Sequence, residues 1–271
     1  MARHRDVMKG EMRMNLIKAA IFDLGGTLWE YLPTLTIEGV LDGVAPKALA
    51  LLPAEQAAVI APRDLAVAVR RAYLAEEHAA AAGDTRPLPA ELPVIEALAS
   101  LGLVVDLGTA RQMLAALHVP ESRTSRLLPG VDALLGTLHG RGIRMGIISN
   151  RMHGGILLLN DLDFFGISHY LTSVIASCDA GQMKPHASIY HRALDELGVL
   201  PGEAVMIGDD LTADVAGPRA VGMHAIWVRR PPDRPDPAPT GVPEVTGLDG
   251  VLAALDTLTE SGSSASAPSS R

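Results

Sequence analysis

Short runs of apolar, β-branched residues alternate along this chain with longer stretches in which apolar positions return every three or four residues. Ile17 to Phe22, Ile143 to Ile148, Thr172 to Ala176, Ala204 to Ile207 and His224 to Val228 predict strands. Between the later runs, Val131, Leu134, Leu135 and Leu138 mark one helix, and Ile189, Ala193 and Leu197 mark another. Gly198 stands where a helix stop is favoured, and a further helix is expected to run to Val221 and end at Gly222. Strand and helix alternating at this spacing require right-handed crossovers. The expected fold class is therefore α/β, a Rossmann-like parallel sheet core with helices on both faces.

The rhythm breaks between about Tyr31 and Leu128, where the chain turns Ala/Leu-rich. Helical periods fall at Leu65, Val69, Ala72 and Tyr73, at Val94, Leu98 and Leu101 after Pro93, and at Met113, Leu114 and Leu117 after Thr109. Six prolines between Arg229 and Pro243 predict an extended loop, and the Ser/Ala-rich run from Ser261 lacks any period. The expected organisation is a flexible N-terminus over 1–14, an α/β core over 15–31 and 129–257, an inserted helical domain over 32–128 and a disordered tail over 258–271. Met8, Met12 and Met14 offer alternative starts.

Composition narrows the function classes. With 271 residues, 48% apolar and 20% charged, the chain carries enough apolar surface for a substantial core and is not disordered throughout. Its net charge of −8 argues against a nucleic-acid groove, which needs clustered Lys and Arg. No apolar run approaches the length of a membrane span, and Cys178, the one cysteine, cannot form an internal disulfide. A cytoplasmic location with no membrane partner is expected. Cys178 reads as a small packing residue, and the histidines show no pair spacing suited to zinc. Oligomeric state is not legible, and a homo-oligomer is compatible with the sequence.

In a parallel sheet, ligands sit at the carboxyl ends of the strands. Here those ends are polar: Asp23-Leu24-Gly25-Gly26-Thr27, Ser149-Asn150, a loop with Lys184-Pro185, and Gly208-Asp209-Asp210-Leu211-Thr212-Ala213-Asp214. Convergence of Asp23, Asp209, Asp210 and Asp214 gathers negative charge that a cation must offset, and an oxygen-only donor set suits Mg2+. Gly25 and Gly26 free the backbone to present amides, Ser149 adds a hydroxyl and Lys184 a positive charge. Together they suit a phosphate.

These four motifs, in this order and spacing over about Leu16 to Val228, resemble the haloacid dehalogenase superfamily. The resemblance implies that Asp23 is a nucleophile forming an aspartyl-phosphate. It implies that Lys184 and Ser149 act in catalysis, and that Gly26, Thr27, Ser149, Asn150 and Lys184 hold the substrate. Asp209 would share Mg2+ with Asp23, and Asp210 and Asp214 would support from behind, one orienting Lys184 and the other capping the helix near Leu211. The insert would be a helical cap that closes over the site and selects the substrate, a small phosphorylated metabolite. Trp29 and Tyr31 are candidates for its wall.

The sequence departs from the family at Gly25, where phosphatases of this type carry a second aspartate as general acid and base. The Gly25 carbonyl can still ligate metal, but it donates no proton. Loss of general acid–base catalysis is worth about 10² to 10⁴ in rate. Glu30 and His153, each just beyond an expected active-site strand end, are the candidate replacements. Two rival functions follow: hydrolytic dehalogenation, in which halide departs without a proton, and a catalytically impaired domain that binds a phosphorylated ligand or regulates a partner.

Overall fold

The computed structural model describes residues 17–84, 88–230 and 238–264. In chain order the elements are β1 (Ala19–Phe22), β2 (Trp29–Tyr31), α1 (Ile37–Leu49), α2 (Ala54–Ala57), α3 (Pro62–Ala81), α4 (Leu92–Ser100), α5 (Leu107–Ala116), β3 (Ser125–Leu127) and α6 (Val131–Gly140). There follow β4 (Arg144–Ser149), α7 (Gly155–Phe164), β5 (Leu171–Ala176), α8 (Ser177–Ala180), α9 (Ala187–Leu197), β6 (Ala204–Gly208), a π-helical turn (Leu211–Ala216), α10 (Gly217–Ala220), β7 (His224–Val228), β8 (Glu244–Val245) and α11 (Val251–Ser264).

Six strands form one parallel sheet in the order β5-β4-β1-β6-β7-β8. All five runs of apolar residues are strands of it, continuous in apolar character because both faces are covered. Alternation sorts their side chains: Ala20, Phe22, Met145, Ile147, Val205 and Ile207 meet α6, α7 and α11 on one face. Ala19, Ile21, Ile148, Ala204 and Met206 meet α9 on the other. Phe22 is fully buried, so its truncation to alanine would cost about 3–5 kcal/mol.

Between β1 and β4 the chain leaves the sheet, and helices α1 to α5 pack about an apolar cluster of their own that includes Leu41, Leu65, Val69, Leu98 and Met113. The antiparallel pair β2–β3 links this unit to the sheet, with Glu30 opposite Arg126. Pro62 opens α3 at a position where the absent N–H costs nothing, and Asp106 caps α5 by accepting from the Thr109 amide. That cap starts α5 ahead of Thr109, earlier than its apolar period predicts.

Helix α1 is not predicted by periodicity, because Gly39, Gly43 and Pro46 interrupt it. The Thr36 side chain accepts from Gly39 N, and Leu41, Ala45 and Ala48 bury one face. The tail expected to lack structure from 258 begins instead inside α11, where Leu255 is buried and Leu258 packs against the same core. The expected flexible stretch 1–14, residues 231–237 of the proline-rich segment and the end of the tail lie outside the described residues.

Candidate active site

The carboxyl ends of β1, β4 and β6 lie side by side because Phe22 is in register with both Ile147 and Ile207. Asp23 extends that ladder by one step, donating its amide to the Ile207 carbonyl at 2.9 Å. Ser149 ends β4, buried, and Asp209 follows β6. A cavity of about 640 Å³ opens over these ends and is lined by Asp23, Gly25, Ser149, Lys184, Asp209 and Asp214 from the sheet side.

Lys184 reaches this point from the loop between α8 and α9. It is buried, and its Nζ donates to Asp23 Oδ1 at 2.8 Å and to Asp214 Oδ1 at 2.7 Å. Asn150 fixes the loop: its Oδ1 accepts from Lys184 N at 2.8 Å while its Nδ2 donates to the Lys184 carbonyl at 3.1 Å. Asn150 also lines the cavity, so it holds the Lys184 backbone beside the place expected for substrate.

Behind Lys184, Asp214 is wholly buried, and its Oδ2 accepts from the Asp210 amide at 3.0 Å. Asp210 itself accepts from Thr212 N and Ala213 N at 2.7 and 2.8 Å, capping the π-helical turn. The two roles anticipated for this pair thus separate: Asp214 orients Lys184 and Asp210 caps.

Two glycines make room for the carboxylates. A Cβ on Gly208 would fall on the Asp214 carboxylate, and one on Gly26, whose φ is +79°, would fall on that of Asp209. Gly26 therefore serves by close approach and left-handed backbone rather than by offering an amide, because its N–H already donates to Trp29 O at 2.8 Å. Thr27 likewise donates its amide to Leu24 O, at 3.1 Å, and its buried hydroxyl has no hydrogen-bond partner. Neither residue lines the cavity.

Oxygens of Asp23, Asp209 and Asp214 all lie within 4.8 Å of one another. Burial raises all three carboxyl pKa values, those of Asp209 and Asp214 to about 6. Lys184 opposes the shift in each case, and the neighbouring carboxylates add to it. For Lys184, burial disfavours the charge but Asp214 and Asp23 outweigh it, leaving the ammonium more strongly held than usual. Three carboxylates against one ammonium leave a net negative, oxygen-only donor set. Such a set fits a hard divalent cation, with Asp209 and the Asp23 oxygen turned away from Lys184 as the available donors.

Gly25 lines the cavity, and a Cβ built there would meet nothing within 4 Å. Neither proposed replacement is well placed. Glu30 pairs with Arg126 at 2.8 Å and Arg230 at 3.3 Å and does not line the cavity. His153 lines it, but its Nε2 lies 2.8 Å from the Leu114 carbonyl and burial lowers its pKa to about 4. Trp29 and Tyr31 both line the wall, as expected. The Cys178 thiol is pushed up to about 12, first by burial and then by Asp179, which makes it a poor nucleophile.

Sequence reasoning overlooked the far wall. Arg70, Tyr73 and Glu77 enter the cavity from α3, where their spacing of three and four residues puts them on one helical face. Arg151, directly after Asn150, pairs with Glu121 at 3.3 Å. For α3 the available signal was polar residues falling beside the buried Val69 and Ala72 stripe.

Among the described residues, no helix is long and apolar enough to cross a membrane. A family model for haloacid dehalogenase-like hydrolases matches residues 17–222. The phosphoglycolate phosphatase of Rhodospirillum rubrum is 32% identical over 212 residues, covering 77% of this chain and 78% of that protein. The phosphoserine phosphatase of Thermus thermophilus is 33% identical over 128 residues, 46% of this chain and 51% of that one, so the match spans about half that relative. Among solved structures, a HAD phosphatase from Thermococcus onnurineus superposes with a TM-score of 0.56 at 23% identity, covering 88% of this chain and 97% of its own. A 2-haloacid dehalogenase from Pseudomonas syringae gives 0.57 at 22% identity, with 89% and 99% covered. At that identity the likeness concerns the fold. By the span of the family match and the phosphoglycolate phosphatase likeness, the chain belongs to the haloacid dehalogenase-like hydrolases.

Proposed function

We propose that this hydrolase is a Mg2+-dependent phosphatase of a small phosphorylated metabolite, with Asp23 as the nucleophile. The observation that carries the reading is the Asp23–Lys184–Asp214 chain of buried ion pairs beside Asp209. It supplies a carboxylate with one oxygen held by an ammonium and the other open to the cavity, next to a donor set suited to a cation.

The Asp23 carboxylate attacks phosphorus in line with the departing oxygen, giving an aspartyl-phosphate that water then hydrolyses. Lys184 orients Asp23 and offsets charge on the transferring group, and the Ser149 hydroxyl offers it a hydrogen bond. Mg2+, held by Asp23, Asp209 and the Gly25 carbonyl, would neutralise the phosphoryl oxygens. The helices between β1 and β4 act as the cap, and Trp29 and Tyr31 shape its wall. Phosphatase names among the relatives support the substrate class, and the acidic cavity fits a small ligand better than a polyanion.

Without a side chain at position 25, the site either takes acyl or aryl phosphates, whose leaving groups need little protonation, or draws the proton from another residue. Gly25 also suits dehalogenation, but the carboxylate trio argues against it, since carbon–halogen cleavage needs no cation. Phosphate release from acetyl phosphate and p-nitrophenyl phosphate, with Mg2+ and with EDTA, tests the reading. Release that requires Mg2+ and is lost in Asp23→Asn supports it. Turnover in EDTA, or halide release from 2-chloropropionate in EDTA, contradicts it, and thermal stabilisation by phosphate esters without product would favour a binding domain.

A further inference from the structure

Transfer to Asp23 needs a proton at the oxygen that leaves, and Gly25 supplies none. In-line displacement puts that oxygen on the far side of phosphorus from Asp23, toward the wall contributed by the inserted helices. A donor must therefore be a titratable group in the cavity with no fixed commitment elsewhere.

Elimination among the described cavity residues is short. Asp23, Asp209 and Asp214 form the cation and lysine cluster, and Asp210 caps the π-helical turn. Glu121 accepts from Ser125 and Thr124 and pairs with Arg151. His153 is tied to the Leu114 carbonyl, and His118 packs against it at 5.0 Å between ring centroids. The Tyr31 and Tyr73 phenols are held above their ordinary range, first by burial. Glu77 and His78 of α3 remain, and of the two His78 is exposed to solvent while Glu77 is half-buried.

We infer that Glu77 is the catalytic proton donor and acceptor that stands in for the side chain absent at Gly25. It lines the same cavity as Asp23 and Gly25, and a Cβ at position 25 would meet nothing within 4 Å. One turn earlier on the same helical face, Tyr73 brings a buried hydroxyl that has no hydrogen-bond partner into this wall. The groups acting on Glu77 are Arg70, Tyr73 and His78 from its own helix and Asp210 from the sheet side. Burial raises its pKa against the pull of Arg70.

The two half-reactions balance. In the first, an Asp23 oxygen bonds to phosphorus, the ester P–O bond breaks, and its electron pair takes the Glu77 proton, so that a neutral alcohol leaves. In the second, the Glu77 carboxylate takes a proton from water as that oxygen bonds to phosphorus. The Asp23–phosphorus bond then breaks, restoring the carboxylate at 23 and the acid at 77.

This inference rests on the phosphatase reading, and its test separates the two. With Mg2+ and the full chain, kcat/KM is measured for phosphate monoesters running from nitrophenyl to simple alkyl leaving groups. The Glu77→Gln variant should lose about 10² to 10⁴ on alkyl esters and far less on the nitrophenyl ester, steepening the leaving-group dependence. Adding Gly25→Asp to Glu77→Gln should restore alkyl turnover. In the unmodified chain, alkyl turnover should fall at high pH where nitrophenyl turnover does not, a readout that survives if the variant fails to fold. Uniform loss across the series, or no loss, overturns the role of Glu77 while leaving Asp23 standing. Phosphate release that needs no Mg2+, or that persists in Asp23→Asn, overturns the phosphatase reading and Glu77 with it.

Discussion

Lys184 Nζ lies 2.7 Å from Asp214 Oδ1, and both side chains are almost wholly removed from solvent. Desolvating two charges is costly, and the pair is tolerable only because each member satisfies the other and Asp23 and the Asp210 amide complete the set. Removing one partner strands the rest. Lys184→Met should lower unfolding free energy by about 3–5 kcal/mol. The loss should be larger at pH 8 than at pH 5, since Asp23 and Asp214 can be neutralised by protonation in acid. Denaturant unfolding at the two pH values measures it; an equal or smaller loss at pH 8 would contradict the account.

Gly26 is confined by two independent demands. Its φ of +79° strains any side chain, and a Cβ would collide with the Asp209 carboxylate. Gly26→Ala should therefore cost about 1–3 kcal/mol and also displace a cation donor. Thermal stabilisation by added Mg2+ should weaken in the variant, whereas a purely local strain would leave it unchanged.

Position 25 makes neither demand. Its φ is outside the left-handed range and nothing lies within 4 Å of an added Cβ, so Gly25→Asp should fold normally. The new carboxyl enters the cavity as a second proton donor. In the Glu77→Gln background it should raise hydrolysis of alkyl phosphates more than that of acyl phosphates, and equal gains in a paired kinetic assay would show that proton supply does not limit turnover there.

His153 makes the fold sensitive to acid. Burial lowers its pKa from 6.5 to about 4, so between those values the unfolded chain binds a proton that the folded chain refuses. Its contribution to stability is thus intact above the unfolded value and is lost as pH falls toward 4. His153→Gln keeps a donor for the Leu114 carbonyl and removes the titration. Melting temperatures across that window should fall less steeply in the variant, while parallel curves would contradict this.

The architecture was legible because β1, β4, β5, β6 and β7 are buried on both faces and so carry uninterrupted apolar runs. Strands β2, β3 and β8 have only three, three and two residues and leave no period to read. Asp23 and Asp209 are legible because strand ends in a parallel sheet share an edge, and Lys184 and Asp214 join them from the loop after α8 and from the π-helical turn. For Asn150, Gly26 and Thr27 residue type does not say which partner takes up an amide, and here the Lys184 backbone and the turn after β1 take them up. Arg70, Tyr73 and Glu77 are harder to read, because the packing of α3 and not the motif spacing carries them to the wall of the cavity.

The central claim is that Asp23 becomes phosphorylated beside a cation it shares with Asp209. Crystals grown with Mg2+ and fluoroberyllate, a mimic of the phosphoryl group, test it most directly. The account predicts beryllium bonded to an Asp23 oxygen, with Lys184 on the fluoride cage and one Mg2+ ligated by both Asp23 and Asp209. A vacant cavity under these conditions, or Mg2+ bound away from Asp209, would contradict it.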